Sequence, residues 1–502
     1  MKSAKTLMIQ GTSSDVGKSL LSAAFCRIYY RRGIKVYPFK SQNMALNSYV
    51  GPDGSEIGRA QALQAFASGL LPEAAMNPVL LKPEADSRSQ IVLMGKVRET
   101  MKGRDYFSFR NEIWPEITSV MDRIKSENDL IIIEGAGSPA EINLNDREIV
   151  NMRVAQYMDA PVLLAADIDR GGVFASIVGT IALLEKKDAD RIKGFLINKF
   201  RGDVSLLKPG LEMLEEKTEK RPVLGVIPWL EGLNLPQEDS VFLEKTNTLG
   251  YRIADGSAVP EGNVVIGVPR FPRISNFDDL DALVLEEGVG IRFADKPQDL
   301  RGVSAILLPG SKTTIKDLLW LNETGLAKEI IKLADNGTPV AGICGGYQML
   351  GKIIDDSAGI ETSGTIVNGL GLLDTQTVFS RGKTTAQVSA NVTAGPGKGH
   401  VVKGYEIHMG ETGRTGSIKG FARINNKEDG AVSSSGKIWG TYIHGIFDEP
   451  GFRRAWLESI GWQKRGKETS LSNIRNEQLD RLADIVEKSV DMTELDKIIG
   501  LG

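Results

Sequence analysis

Short apolar runs that end in glycine, proline, asparagine or aspartate punctuate this chain, and they constrain its fold more than any other feature. Leu7-Met-Ile9, Ile34 to Phe39, Leu130-Ile-Ile-Ile133, Pro161-Val-Leu-Leu-Ala-Ala-Asp167, Gly194-Phe-Leu-Ile-Asn198 and Pro222-Val-Leu-Gly-Val-Ile-Pro228 are the clearest in the first half. They have the length of strands rather than helices, and they lack the alternation of a strand with one wet face. Segments of helical periodicity separate them; after the first run, Leu20, Ala24 and Ile28 share a face with Leu21 and Phe25. Buried strands alternating with helices predict an α/β fold with a mostly parallel, doubly wound sheet. The pattern breaks up between Glu231 and Gly262, where Pro236, Gly250, Gly256 and Pro260 fall, and resumes at Val264-Val-Ile-Gly-Val268. Two doubly wound domains are expected, at 1–235 and 263–455, with a linker at 236–262 and a charged helical tail at 456–502.

A chain of 502 residues has room for two large domains or about three ordinary ones. Its 61 basic and 64 acidic residues leave a net charge of −3, so there is no electrostatic footprint for nucleic acid. Two cysteines, Cys26 and Cys344, exclude a disulfide framework and point to a reducing cytoplasm. Three histidines, His400, His408 and His444, offer no zinc-type cluster. The N-terminus is strand-like by residue 7, without the features of a signal peptide, and no run of about 18 apolar residues suggests a membrane span. A soluble protein is expected; nothing in the sequence sets its oligomeric state, and a homo-oligomer stays open.

The first strand leads into Gly11-Thr-Ser-Ser-Asp-Val-Gly17-Lys18-Ser19 and then a helix. This is the context of a phosphate-binding loop: backbone N–H groups and the helix N-terminus take phosphate oxygens, Lys18 reaches the β and γ phosphates, and Ser19 holds Mg²⁺. Five residues rather than four separate Gly11 from Gly17, a spacing that resembles the loop of the dethiobiotin synthetase type. ATP binding is therefore expected at Gly11, Thr12, Asp15, Val16, Gly17, Lys18 and Ser19, with Asn198 on the adenine side. Leu130-Ile-Ile-Ile-Glu134-Gly resembles a Walker B strand, which makes Glu134 the second metal-side residue with Ser19. Cys26 lies on the apolar side of the helix after the loop and reads as core.

In the second half, Val340-Ala-Gly-Ile343 delivers Cys344 to Gly345-Gly346, and an amphipathic segment begins at Tyr347. A strand that ends in cysteine and turns sharply into a helix is a nucleophile elbow with a thiol. The turn needs glycine, and a helix N-terminus beneath the sulfur favours the reactive thiolate. Ala305-Ile-Leu-Leu-Pro-Gly310-Ser311 ends in a tight turn whose N–H groups suit an oxyanion hole. Ile438-Trp-Gly-Thr-Tyr-Ile-His444 places a histidine at another strand end, 100 residues after Cys344, the separation expected of a pair that converges only in space.

Leu308-Pro-Gly-Ser311, Gly342-Ile-Cys-Gly-Gly-Tyr-Gln-Met-Leu-Gly351 and Tyr442-Ile-His-Gly-Ile-Phe447 together resemble the triad-class glutamine amidotransferases. Joined to a dethiobiotin-synthetase-like ATPase half, they resemble the cobyric acid synthase family. Phe39 to Ser48, Glu56 to Ala62, Asp167 to Ala175 and Gly404 to Gly410 carry that likeness from about residue 5 to about residue 450. The resemblance implies a P-loop NTPase-like domain followed by a class I glutamine amidotransferase-like domain. Cys344 and His444 become catalytic, Gly310, Ser311, Gly345 and Gln348 face the oxyanion and glutamine, and Gln42, Asn43, Asn47 and Asp146 lie on the corrinoid side. The wider class carries His-x-Glu, whereas His444 is followed by Gly445 and Ile446. Asp448 or Glu449 orients the imidazole, or a dyad suffices; the dyad is the expectation.

The implied activity is amidation of the b, d, e and g carboxylates of adenosylcobyrinic acid a,c-diamide. ATP makes an acyl phosphate, and ammonia from L-glutamine displaces the phosphate. ATP and Mg²⁺ enter at substrate level, with no permanently bound cofactor. Cobyrinic acid a,c-diamide synthase is the nearest alternative. A ParA/MinD-like ATPase switch with a non-catalytic amidotransferase-like domain is the alternative of a different class.

Overall fold

The computed structural model describes residues 3–83, 88–143, 148–230, 233, 235, 248–250 and 259–501. The chain forms two units: 1–45 with 55–236 and 475–502, and 46–54 with 237–474.

The first unit is built on six parallel strands in the order Val223–Pro228, Ile192–Phe200, Val162–Asp167, Lys5–Gly11, Leu130–Glu134, Val36–Phe39. Side chains alternate between two cores because a strand has period two. Leu7, Ile9, Leu130, Ile132, Leu163 and Leu196 enter one, while Met8, Ile131, Ile133, Leu164 and Phe195 enter the other. Helices on both faces explain why these runs are apolar throughout. The strand order reverses beside Lys5–Gly11, so the crevice for a ligand opens at that strand's C-terminal end. A four-stranded sheet of Gln42–Met44, Val79–Pro83, Arg88–Leu93 and Lys96–Lys102 completes the unit and was not legible as separate strands.

The tail differs from the expected appendage. Helices Leu471–Ser489 and Met492–Ile499 bury Leu479, Leu482, Val486, Leu495 and Ile499 in the same core as Leu7 and Ile9. Arg27 forks onto both oxygens of Asp480 at 2.8 and 2.9 Å. Residues 456–474 remain with the second unit.

The second unit has a seven-stranded sheet in the order Thr248–Gly250, Val289–Ala294, Val264–Pro269, Ala305–Leu308, Val340–Ile343, Ile438–Thr441, Ala431–Val432. Its five inner strands are parallel and its two edge strands antiparallel. Thr248–Gly250 thus places a strand inside the stretch expected to be linker, most of which lies outside the described residues. A second sheet is dominated by the long antiparallel pair Thr375–Val392 and Val401–Arg414, with Ile443–His444 beside the latter.

Candidate active site

In the first unit, the strand Lys5–Gly11 feeds the loop that precedes helix Lys18–Arg31. Gly17 caps that helix at φ 96° and brings no capping side chain, and a helix N-terminus of this kind suits an anion. A Cβ at Gly17 would overlap the Asn198 amide, so this position requires glycine for space as well as for φ. Asn198 donates to the Val16 carbonyl at 2.8 Å; half of its amide therefore holds the loop. Thr12 N donates to Ala165 O at 3.0 Å, and Asp15 stands at φ 59°. The buried Lys18 ammonium donates to the carbonyls of Ser13 (2.9 Å) and Gly137 (3.1 Å), across the mouth of the loop.

Ser19 and Glu134 come together as the sequence suggested: Ser19 Oγ donates to Glu134 Oε1 at 2.7 Å. Glu134 is buried, and Lys40 Nζ donates to the same oxygen at 2.9 Å, while Gln64 and Gln61 donate to the other at 2.5 and 3.4 Å. Burial pushes this carboxyl up, but the Lys40 charge and the hydrogen bonds from Lys40, Ser19 and Gln64 outweigh it and hold it below its usual range. Lys40, Gln61 and Gln64 were missed as site residues. Lys40 directly follows the strand Val36–Phe39, but only the sheet order shows that this strand lies beside Leu130–Glu134. A hydroxyl and an ionised carboxylate are hard oxygen donors of the kind Mg²⁺ takes when nucleotide phosphates and water complete its shell. Among the described residues, no cluster of three or more His, Cys, Asp or Glu could hold a metal by itself.

The residues expected on the corrinoid side do not stay together. Gln42 accepts from Tyr106 Oη at 2.6 Å and Asn43 donates to Gln61 at 2.9 Å, both in the first unit. Asn47 belongs to the second unit. Asp146 lies outside the described residues.

In the second unit, Val340–Ile343 ends at Cys344, whose φ of 51° and ψ of −109° are the strained backbone of an elbow. A Cβ at Gly346 would overlap the Leu308 carbonyl. Gly346→Ala should cost about 3 kcal/mol of stability, read as a lowered denaturation midpoint, because the obstructing atom is backbone and cannot swing away.

Sγ of Cys344 donates to Ile407 O at 3.6 Å and lies near enough to the buried His444 imidazole to favour its charged form. On its other side, His444 Nδ1 donates to Asp279 Oδ2 at 2.7 Å, and Gly445 N donates to Asp279 Oδ1 at 2.6 Å. The expected dyad is thereby corrected: Asp279, 165 residues upstream and not Asp448 or Glu449, orients the imidazole. Burial pushes the imidazole down, but the carboxylate of Asp279 and then the sulfur of Cys344 push it up more strongly, so its pKa is raised. Asp279 sits in the short helix Phe277–Leu280, within a polar stretch that contains several acids and no motif to single it out.

The Pro309–Ser311 turn lies against the elbow. Ser275 N donates to Gly310 O and Lys312 N to Arg273 O, bonds that flank Ser311 and leave its own N–H outside that ladder. A Cβ added to Gly345 would come within 2.9 Å of Ser311 N, so Gly310, Ser311 and Gly345 do converge. The Ser311 hydroxyl is committed to Asp317 at 2.5 Å and accepts from Thr313 N at 3.1 Å. Gln348 is buried and fully engaged: Thr314 donates to it at 3.0 Å, and it donates to Met409 O and Tyr442 Oη at 3.0 and 3.1 Å. It braces the elbow helix. His408 stacks on Tyr442 with ring centres 3.7 Å apart, and burial pushes its pKa down to about 4, so it is neutral. Burial likewise pushes the Cys26 thiol up to about 12, which leaves it inert core.

A phosphate cradle beside a buried carboxylate, and a strained cysteine backed by His and Asp, define a class: a nucleotide-binding α/β domain joined to a glutamine amidotransferase domain. Family models divide the chain in the same way, the CobQ/CobB/MinD/ParA nucleotide binding domain matching residues 7–241 and the CobB/CobQ-like glutamine amidotransferase domain matching 265–452. The chain belongs to the cobyric acid synthase family. Proteins named cobyric acid synthase from Sorangium cellulosum (strain So ce56) and Dehalococcoides mccartyi (strain CBDB1) are 49% and 48% identical, each over 99% of both chains. That of Moorella thermoacetica is 48% identical over 99% of this chain and 98% of its own.

Proposed function

We propose that this protein makes the b, d, e and g amides of adenosylcobyric acid from adenosylcobyrinic acid a,c-diamide, using ATP and L-glutamine. Likeness over the whole length to proteins named cobyric acid synthase carries this reading. In the first unit, MgATP binds at the Gly11–Ser19 loop, with Ser19 and Glu134 on the metal side and Lys18 on the phosphates. A substrate carboxylate attacks the γ-phosphorus, the bond to ADP breaks, and an acyl phosphate forms. In the second unit, the Cys344 thiolate attacks the side-chain carbonyl carbon of glutamine. The oxyanion is met by the amides of Ser311 and Gly345. His444 gives its proton to the departing nitrogen, ammonia leaves, and water hydrolyses the thioester to glutamate. Ammonia displaces phosphate from the acyl phosphate, and each cycle converts one carboxylate to one amide. Among the described residues no helix is long and apolar enough to cross a membrane, and the two thiols with no disulfide suit a reducing cytoplasm.

Mass spectrometry of products formed from corrinoids with different free carboxylates, with ATP and glutamine, tests the proposal. Four successive amidations of the a,c-diamide are expected. Amidation only of the a and c carboxylates would assign the chain to cobyrinic acid a,c-diamide synthesis. A folded protein without glutaminase activity would favour a nucleotide switch.

Asp279→Asn should lower glutaminase kcat by about 100-fold. Because Asp279 raises the imidazole pKa, the imidazole keeps its charge up to the raised value and loses it as pH rises through that value. Removing the carboxylate lowers that value, so the alkaline limb of the glutaminase profile should move to lower pH. Stopped-flow or coupled glutamate assays across pH check this.

A further inference from the structure

Residues 46–54 leave the first half of the chain, join the second unit, and end at Gly54 before the chain resumes its place in the first unit at Ser55. Within the second unit they touch both supports of His444. Asn47 Oδ1 accepts from Asn276 N at 2.8 Å, and Ser48 N donates to Asn276 Oδ1 at 3.1 Å, a reciprocal pair among buried residues. Asn276 stands at φ 52° and caps the short helix that carries Asp279; its carbonyl accepts from Asp279 N at 3.3 Å. Two buried hydrogen bonds therefore hold the turn that aims Asp279 at Nδ1.

The other support is Tyr405, whose ring stacks on the His444 imidazole at 5.3 Å and 19°. The Tyr49 ring lies 5.7 Å from the Tyr405 ring at 52°, and Tyr405 Oη donates to Ser48 O at 3.4 Å. Val50 packs with Tyr405 and Ile407, and Ile407 supplies the carbonyl that receives the Cys344 thiol. Gln387 donates to Val50 O and ties the segment to the long hairpin.

We propose that Asn47 and Tyr49 are positioning residues for glutamine hydrolysis, Asn47 through the Asn276 turn and Asp279, and Tyr49 through Tyr405. This rests on the assignment of Cys344 and His444 as the glutaminase pair. It gives Asn47, whose neighbours in sequence resemble a corrinoid-side stretch, a role at the amide-hydrolysing site. Glutamine hydrolysis thus depends on a segment whose two ends continue into the ATP-binding half.

Asn47→Ala and Tyr49→Ala should each lower glutaminase kcat about ten- to a hundredfold, since a misplacement near 1 Å has that effect on a reacting group, with the KM for glutamine within about twofold of wild type. Tyr49→Phe should restore the rate, because it keeps the ring. The second readout needs no glutamine: the pH dependence of Cys344 alkylation by iodoacetamide, followed by peptide mass spectrometry. The titratable groups facing His444 are Asp279, Cys344 and His408; with Asp279 loosened, the imidazole loses its charge at lower pH and the alkylation curve of Asn47→Ala should shift from that of wild type. Thermal unfolding monitors folding, and Tyr49→Leu, which keeps apolar bulk without the ring, replaces Tyr49→Ala if the latter does not fold. Folded Ala and Leu variants with wild-type kcat and wild-type alkylation curves would overturn the proposal. A wild-type protein that lacks glutaminase activity but whose alkylation curve shifts in Asn47→Ala would overturn the glutaminase assignment and leave the positioning intact.

Discussion

Cys344→Ser is expected to lower glutamine-dependent amidation by roughly 10⁴-fold or more while amidation with added ammonium salts persists. The size of the loss follows from the chemistry of the elbow. The strained Cys344 backbone, the Gly346 contact under Leu308 and the His444–Asp279 pair all serve to place a sulfur beside an imidazole. A hydroxyl at the same position has a far higher pKa, and the imidazole cannot hold it as an anion. Ammonia supplied from solution needs no nucleophile, so the nucleotide-binding unit retains its chemistry. Parallel assays with glutamine and with ammonium at a pH where free ammonia is abundant check the split. Loss of both activities in a folded variant would sink the division of labour between the two units.

Lys18→Ala is expected to lower synthesis about 1,000-fold with either nitrogen source, and to leave the Cys344 thiol open to alkylation as in wild type. The ammonium of Lys18 is buried and suspended from the carbonyls of Ser13 and Gly137, in the loop that precedes helix Lys18–Arg31. Without that ammonium, the developing charge on the transferred phosphoryl group loses a stabilising partner. Steady-state release of ADP, with corrinoid and ammonium, measures the effect without involving glutamine.

Particular residues show why some of this was legible in sequence and some was not. Gly11 to Ser19 and Val340 to Tyr347 are contiguous, and each combines strand, turn and helix N-terminus in one stretch, so local chemistry identified the phosphate loop and the thiol elbow. Ser19 and Glu134, which the structure brings to 2.7 Å, each carry their own short motif. Lys40, Gln61 and Gln64 carry none; they meet at Glu134 because Val36–Phe39 lies beside Leu130–Glu134 in the sheet. Asp279 is one acid in a polar stretch 165 residues before His444, far from Asp448 and Glu449, and hydrogen bonding requires closeness only in space. The C-terminal helices looked like a charged tail because their exposed faces are charged; the apolar stripe of Leu479, Leu482 and Val486 acquires meaning only against the core it fills.

The sequence by itself determined an α/β chain with a glycine-rich strand-to-helix loop at one end and a cysteine elbow toward the other, because buried parallel strands and sharp strand-to-helix turns write local, repeated patterns. Tertiary structure decided what surrounds those two groups. It chose Asp279 for His444, gathered Lys40, Gln61 and Gln64 on Glu134, and placed Asn47 and Tyr49 with the amidotransferase residues. The physical reason is the same in each case: a buried charge or imidazole must find its partner among whatever side chains packing brings within about 3 Å, and no spacing along the chain encodes that distance.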